Sequence, residues 1–336
     1  MPLNAAQKDN VAIARRFSVA PMMEWTDRHC RYFHRLLTRN ALLFTEMVTS
    51  AAIVHGDAER HLAFDPAEQP VALQLGGSDP DELARATAIA ARFGYAEINL
   101  NVGCPSDRVQ SGRFGACLMA EPDLVAQCVR AMREATDLPV TVKCRIGIDD
   151  QDTEQSLDRF ADAMVEAGVA ALYVHARKAW LKGLSPKENR TIPPLDYPRV
   201  HRLRSRLAPL PLFINGGIDT LEAAEAQMPH TDGVMLGRAA YHNPMLLADV
   251  DRRFFGDDTP VPELSVIMDR MGDYAERNNV RINAVARHML GIANSLPGAR
   301  VFRQIMSVDA CRPGADRSVF DRALQALETA ALARAS

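Results

Sequence analysis

Between residues 17 and 237, eight short apolar or β-branched runs alternate with stretches of helical periodicity, and few folds accommodate that alternation. The runs are FSVAP (17–21), ALLFTEM (41–47), VALQL (71–75), AEINL (96–100), PVTVKC (139–144), ALYVH (171–175), LPLFI (210–214) and GVMLG (233–237). Between them lie segments such as DPDELARATAIAARFG, in which Asp79 caps a helix, Pro80 opens it and Gly94 ends it. EPDLVAQCVRAMREAT and DTEQSLDRFADAMVEAG repeat the form. Parallel strands need a crossover of this size, and eight of them can close, so the pattern predicts a (β/α)8 TIM barrel. A doubly wound sheet is the alternative, weakened because no strand is followed by GxGxxG.

After Asn243-Pro244 the strand pattern stops, and GDDTPVPEL (256–264) reads as a linker. Helical periodicity then runs over 265–277, 280–294, 299–307 and 317–334, broken at Asn278-Asn279, Pro297-Gly298 and CRPGA. The expected organisation is a barrel domain over residues 1–255 and an all-helical C-terminal domain over 256–336. Hydrophobic residues at 47% against 24% charged exclude a disordered chain. No apolar run approaches the roughly 18 residues of a membrane helix, and MPLNAAQKDNVAIARRF lacks the apolar core of a signal peptide. Six cysteines without a CxxC pair suggest neither a disulfide framework nor a metal site, and point to reduced thiols in a cytoplasmic protein.

A net charge of -3 hides two basic stretches. Arg177, Lys178, Lys182, Lys187 and Arg190 face one acid, Glu188, and Arg281, Arg287, Arg300 and Arg303 lie in a stretch with none. Such clustering suits a phosphate-bearing partner, although a solvated face gives the same pattern. Arg300 and Arg303, three apart after Pro297-Gly298, would share one helix face.

Barrel enzymes build their sites from residues just after the strands. Here those positions hold Pro21, Met22 and Met23, then Glu46, Gln74, Asn99, Asn101 and Cys104, followed by Lys143, Arg145, His175 and Arg177, and finally Asn215-Gly216-Gly217 and Gly237-Arg238. NGG after the seventh strand and GR after the eighth match the usual phosphate position of a barrel, though two glycines can also merely turn the chain. Lys143 is one of five lysines and sits in a strand, so an anionic partner is implied. A flavin, with its phosphate and its ring, would supply that charge, and His175 could touch the same group. Cys104 stands in NVGCPS on the active face, where a thiol serves as general acid or as nucleophile; no adjacent His or Lys favours the thiolate. Cys30, Cys117, Cys128, Cys144 and Cys311 read as small hydrophobes.

These residues fall in longer motifs: APMMEWTD (20–27), VALQLGG (71–77), INLNVGCPSDRVQSGRFGACLM (98–119), VKCRIG (142–147), VHARKAWLKGLSPKENRTIPPLDY (174–197), INGGI (214–218) and GVMLGRAAYHNP (233–244). Together they resemble the flavin-dependent tRNA-dihydrouridine synthases, and within them the A-type branch, over nearly the whole chain. The resemblance implies an FMN-containing barrel with a helical tRNA-binding domain that uses NADPH to reduce the C5–C6 bond of D-loop uridines at positions 20 and 20a. It implies FMN contacts from Pro21, Met22, Met23, Gln74, Lys143, His175, Asn215, Gly216, Gly217, Gly237 and Arg238, with Cys104 as proton donor. It places Asn101 and Arg145 at the uracil edge, and Arg177, Asn189, Arg190, Arg300 and Arg303 on tRNA. No metal and no obligate protein partner are expected. A small-molecule ene-reductase on the same barrel would leave the basic stretches idle, and a non-catalytic tRNA-binding module would leave Cys104 and Lys143 without a task.

Overall fold

The computed structural model describes residues 5–335. All eight expected strands form: β1 Phe17–Val19, β2 Leu42–Thr49, β3 Val71–Gly76, β4 Glu97–Val102, β5 Val140–Arg145, β6 Leu172–His175, β7 Leu212–Asn215 and β8 Gly233–Leu236. Each pairs in parallel with the next, and β8 returns to β1 with Val19 opposite Leu236, so the sheet is a closed barrel. The connecting helices carry the expected signals. Asp79 accepts a hydrogen bond from the Glu82 amide at 2.8 Å, Pro80 opens the helix Pro80–Ala90, and Gly94 stops the following turn at φ 86°. Helices Pro122–Glu134 and Gln155–Glu166 follow β4 and β5.

Alternation along the strands decides what faces inward. In β4, Ile98, Leu100 and Val102 lie on one face and Glu97, Asn99 and Asn101 on the other. The Tyr173 hydroxyl on β6 donates to Glu97 on β4, two strands away, at 3.1 Å, which puts the polar set inside the barrel. Phe44, Ala72, Tyr173, Phe213 and Met235 form the apolar part of that interior. Register sets Asn101 beside Lys143, Arg145 beside His175 and His175 beside Asn215, so these side chains reach the C-terminal rim together.

The chain divides into two compact units at boundaries that correct the expected ones. One unit comprises Asn40–Gly237 with the chain before Trp25; the other joins Trp25–Arg39 to everything from Arg238 onward. The break therefore falls at the end of β8 and not at residue 255, since the helical turns Arg238–His242 and Pro244–Asp249 already belong to the second unit. The helix Arg28–Leu37, which follows β1, belongs there too, and two carboxylates account for it. Asp27 caps that helix through the His29 and Cys30 amides at 3.0 and 2.9 Å. Its outer oxygen accepts from Arg287 at 2.5 Å and from His288 at 3.1 Å. Asp251 accepts from the Thr38 hydroxyl at 2.7 Å and the Arg39 amide at 2.6 Å, and Tyr32 stacks on Tyr274 with centroids 4.2 Å apart. The remaining helices of this unit are Leu264–Arg277, Ile282–Met289, Ala299–Val308 and Ser318–Ala335, close to the periodic segments. Among the described residues no helix is long and apolar enough to cross a membrane.

Candidate active site

The rim of the barrel carries a concentration of cations around one histidine. His175 is buried, and its pKa lies well below the ordinary value because burial disfavours its charge and Arg145, Lys143, Arg177 and Arg190 repel it further. It is therefore neutral at physiological pH, available as a hydrogen-bond partner and not as an acid. Lys143 donates from Nζ to Asn215 Oδ1 at 3.0 Å, and Asn215 in turn donates to the Met235 carbonyl at 2.8 Å. Burial, with help from Arg145, pulls the Lys143 pKa down to about 8. A lysine held this way among other cations calls for an anion.

Arg145 is 3% exposed and works as a clamp. Its Nε donates to the Gly103 carbonyl at 2.9 Å, and Nη1 donates to the Lys178 and Asn189 carbonyls, each at 2.9 Å. It thus ties the loop after β4 to the loop after β6, and Gln110 repeats the tie from Nε2 to the Pro105 and Leu181 carbonyls at 2.8 and 2.9 Å. Burial, then Arg190, lowers the Arg145 pKa to about 10, which leaves it charged at neutral pH.

Cys104 stands half-buried on the first of these loops. Its amide donates to Asn101 Oδ1 at 3.0 Å, and its carbonyl accepts from the Ala116 amide at 2.9 Å. The carbonyl contact requires glycine at 115, where φ is 78° and a Cβ would lie 2.6 Å from the Cys104 oxygen. The thiol lies 3.6 Å from Ser106 Oγ. After β7, Gly216 at φ 113° sits where a Cβ would come within 2.3 Å of His175 Cδ2, so only glycine lets backbone and imidazole approach this closely. Met22 Sδ lies 3.6 Å from where a Cβ on Gly237 would stand, which brings the ends of β1 and β8 together.

Several expected site residues are placed otherwise than the sequence suggested. Asn189 is fully buried: its Oδ1 accepts from the Trp180 amide at 2.7 Å and its Nδ2 donates to the Trp180 carbonyl at 2.9 Å. With its amide committed to shaping the loop, it cannot itself touch RNA; Arg190, beside it, is exposed. Lys178 donates to the Asp149 carbonyl at 2.8 Å and Arg177 to the Pro193 carbonyl, so part of the first basic stretch organises its own loop. Arg287 is bound to Asp27. Arg300 and Arg303 are exposed on the helix Ala299–Val308, and Arg303 reaches Asn294 Oδ1 at 3.3 Å. Cys30, Cys128 and Cys144 are buried, and burial pushes the last two up to about 12, but Cys117 is half-buried and Cys311 exposed, against expectation. Asn99 stands among the strand-end residues the sequence offers, but Glu97 and Thr141 do not; the alternation of Glu97, Asn99 and Asn101 in EINLN was the available signal for Glu97, and Thr141 in PVTVKC had none.

A closed parallel barrel whose rim gathers a cysteine, a neutral histidine, a buried arginine and a partly buried lysine has the arrangement of a barrel enzyme's active face. The family profile described as dihydrouridine synthase (Dus) matches residues 18–329. A tRNA-dihydrouridine(20/20a) synthase of Vibrio cholerae is 55% identical over 313 residues, covering 92% of this chain and 95% of that protein. One from Escherichia coli K12 is 54% identical over 324 residues, covering 95% and 93%. An old yellow enzyme homologue from Zymomonas mobilis shares the fold, with TM-score 0.52 and 16% identity over 75% of this chain and 92% of its own. The chain belongs to the dihydrouridine synthase family.

Proposed function

We propose that the protein reduces the C5–C6 double bond of uridines 20 and 20a in the tRNA D-loop, with FMN as its cofactor and NADPH as the reductant. The observation that carries this reading is the convergence of Cys104, Lys143, Arg145 and a neutral His175 on one rim. The donor set fits a flavin phosphate and ring: Lys143 is a partly buried cation restrained by Asn215, and the Gly216–Gly217 turn, at φ 113° and 66°, takes a left-handed backbone that glycine adopts without strain and that suits backbone approach to an anion. Pro21, Met22, Met23, Gln74, Lys143, His175, Asn215, Gly216, Gly217, Gly237 and Arg238 would hold FMN. The chemistry the flavin supplies when bound is a hydride for uracil C6.

The remaining work falls to the chain's own residues. Cys104 delivers a proton from its thiol to C5, which completes reduction of the double bond. Asn101 keeps one Nδ2 hydrogen for a uracil carbonyl, and the Nη2 group of Arg145 is the part of that guanidinium not occupied by loop carbonyls. A base must leave its stack to reach such a rim, so the RNA around it must be gripped. Arg190 from the barrel unit, and Arg300 and Arg303 from the helical unit, supply phosphate contacts, with Arg177 and Asn189 holding the barrel loop in shape. A reducing, cytoplasmic setting suits six free thiols and a tRNA substrate.

The purified protein should be yellow and should release FMN on denaturation, and tRNA from cells lacking it should lose dihydrouridine at 20 and 20a. A colourless protein that fails to bind added FMN, or unchanged dihydrouridine at both positions, would sink the reading.

A further inference from the structure

Barrel interiors are ordinarily filled by layers of branched aliphatic side chains. In this barrel the sector between β3 and β6 is polar from base to rim, and its hydrogen bonds all run one way. At the base, the Glu97 carboxylate is fully buried, with Arg15 Nε at 2.6 Å from Oε2 and the Tyr173 hydroxyl at 3.1 Å from Oε1. Burial and the neighbouring carboxylate hold the tyrosine pKa well above its usual value, so Tyr173 remains a donor. The Thr141 hydroxyl donates to Glu97 Oε1 at 2.8 Å. Having given its only proton to the carboxylate, Thr141 must accept from its other neighbour, and Asn99 Nδ2 donates to it at 2.9 Å.

That choice propagates. Asn99 then presents its oxygen upward, where Gln74 Nε2 donates at 2.8 Å, and Gln74 presents its own oxygen to Asn101 Nδ2 at 2.7 Å. Asn101 is left with Oδ1 facing the loop after β4, and it accepts there from the Gly103 and Cys104 amides at 3.1 and 3.0 Å. Backbone amides can only donate and an ionised carboxylate can only accept, so both ends of the chain demand the same direction. None of the four linking side chains, Thr141, Asn99, Gln74 and Asn101, is more than 8% exposed, so water does not offer an alternative partner. Hydrogen bonds aligned head to tail also polarise one another.

We infer that Glu97, Thr141 and Asn99 are positioning residues for the proton donor: the buried charge at the base of the barrel fixes the orientation of the Gln74 and Asn101 amides and, through them, the backbone that carries Cys104. The inference rests on the proposed role of Cys104, but the orienting relay itself can be tested apart from catalysis. At the rim, the same polarity leaves Asn101 offering an N–H and never a carbonyl, which selects an acceptor such as a carbonyl oxygen on the bound base.

Two substitutions break the relay while nearly preserving shape. Thr141→Val removes the hydroxyl, and Glu97→Gln keeps the volume but forces one amide N–H against a donor, from Arg15 or from Thr141. Thr141→Ser preserves the relay and serves as the conservative rescue. In flavin-loaded full-length protein, the two breaking variants should lower kcat for dihydrouridine formation by about tenfold or more and leave KM for tRNA within about twofold, because the loss is one of alignment. Thr141→Ser should restore kcat. Independently of any turnover, iodoacetamide labelling followed by peptide mass analysis should show the Cys104 rate altered by about threefold or more in the breaking variants and unaltered in Thr141→Ser, with exposed Cys311 as the internal control. If Thr141→Val does not fold, Glu97→Gln carries the test. Equal Cys104 labelling in wild type and both breaking variants would overturn the relay. Altered Cys104 labelling in the breaking variants, together with a flavin-loaded wild type that makes no dihydrouridine, would uphold the relay and instead overturn the proposed reaction.

Discussion

Replacing Lys143 by methionine should stabilise the ligand-free protein while removing its hold on an anionic cofactor. Lys143 is kept charged in a place that burial and Arg145 make unfavourable, with its pKa near 8 against an ordinary 10.5. At neutral pH that difference costs the folded state about 3 kcal/mol. Methionine fills similar space without charge and gives up one hydrogen bond, to Asn215 Oδ1, worth about 1 kcal/mol. A net gain of about 2 kcal/mol follows, visible as a rise of roughly 0.5–1 M in the urea midpoint of flavin-free protein. The pH dependence has a definite sign. A lysine whose folded pKa is depressed burdens the fold fully below about pH 8, and the burden fades as pH rises toward 10.5, where the unfolded chain also loses its proton. The advantage of Lys143→Met should therefore be full at pH 7 and gone by pH 10.5. FMN affinity should fall by about a hundredfold or more, since an anion loses its buried counter-charge. A variant less stable than wild type at pH 7 would refute the argument that this lysine is held in place for a ligand.

Cys104→Ala should slow dihydrouridine formation by about 10²- to 10⁴-fold while NADPH still reduces the flavin, and stopped-flow absorbance separates the two steps. Arg300→Ala with Arg303→Ala should weaken tRNA binding and lower the salt slope of log affinity by roughly one to two, with flavin content unchanged; filter binding across salt concentrations decides it. Asp27→Asn should destabilise the helical unit by about 2–3 kcal/mol, mostly through the buried His288 partner, because Arg287 is half-exposed and contributes little. Burial alone would raise the Asp27 pKa, but the hydrogen bonds and charge of His288 and the Cys30 amide depress it overall. Its stabilisation is thus present above the ordinary carboxylate range and lost as pH falls below it, so wild type and Asp27→Asn should converge in strong acid.

The eight strands were legible because strand identity is a local property: period, turn residues and caps such as Asp79-Pro80 act within a dozen positions. The rim residues followed, since strand ends and the alternation of Lys143 and Arg145 fix their direction. What the sequence withheld is pairing over distance. Nothing near Asp27 announces Arg287 and His288, some 260 positions away, so the segment Trp25–Arg39 could not be assigned to the helical unit. Asn189 lies in a basic loop and reads as a contact residue, yet its partners are carbonyls and amides of that loop, which no residue type reveals. Glu97 looked like any strand-edge carboxylate; its meaning depends on Arg15 and Tyr173 meeting it inside the barrel.

Because Trp25–Arg39 belongs with the residues after Arg238, the helical unit is written in two places in the gene's message, and its first helix is made long before its partners. At about 5–20 residues per second, the 198 residues between Arg39 and Arg238 take the ribosome about 10 to 40 s to add. Through that interval Tyr32, Cys30 and Phe33, all buried in the finished protein, have no Tyr274 or His288 to meet. The nascent chain therefore carries a helix whose apolar face awaits its mates through most of its synthesis; a message truncated after Gly237 leaves that helix unpartnered, and a C-terminal fragment from Arg238 lacks it. Dissecting this protein by cutting once is ruled out by its own chain order.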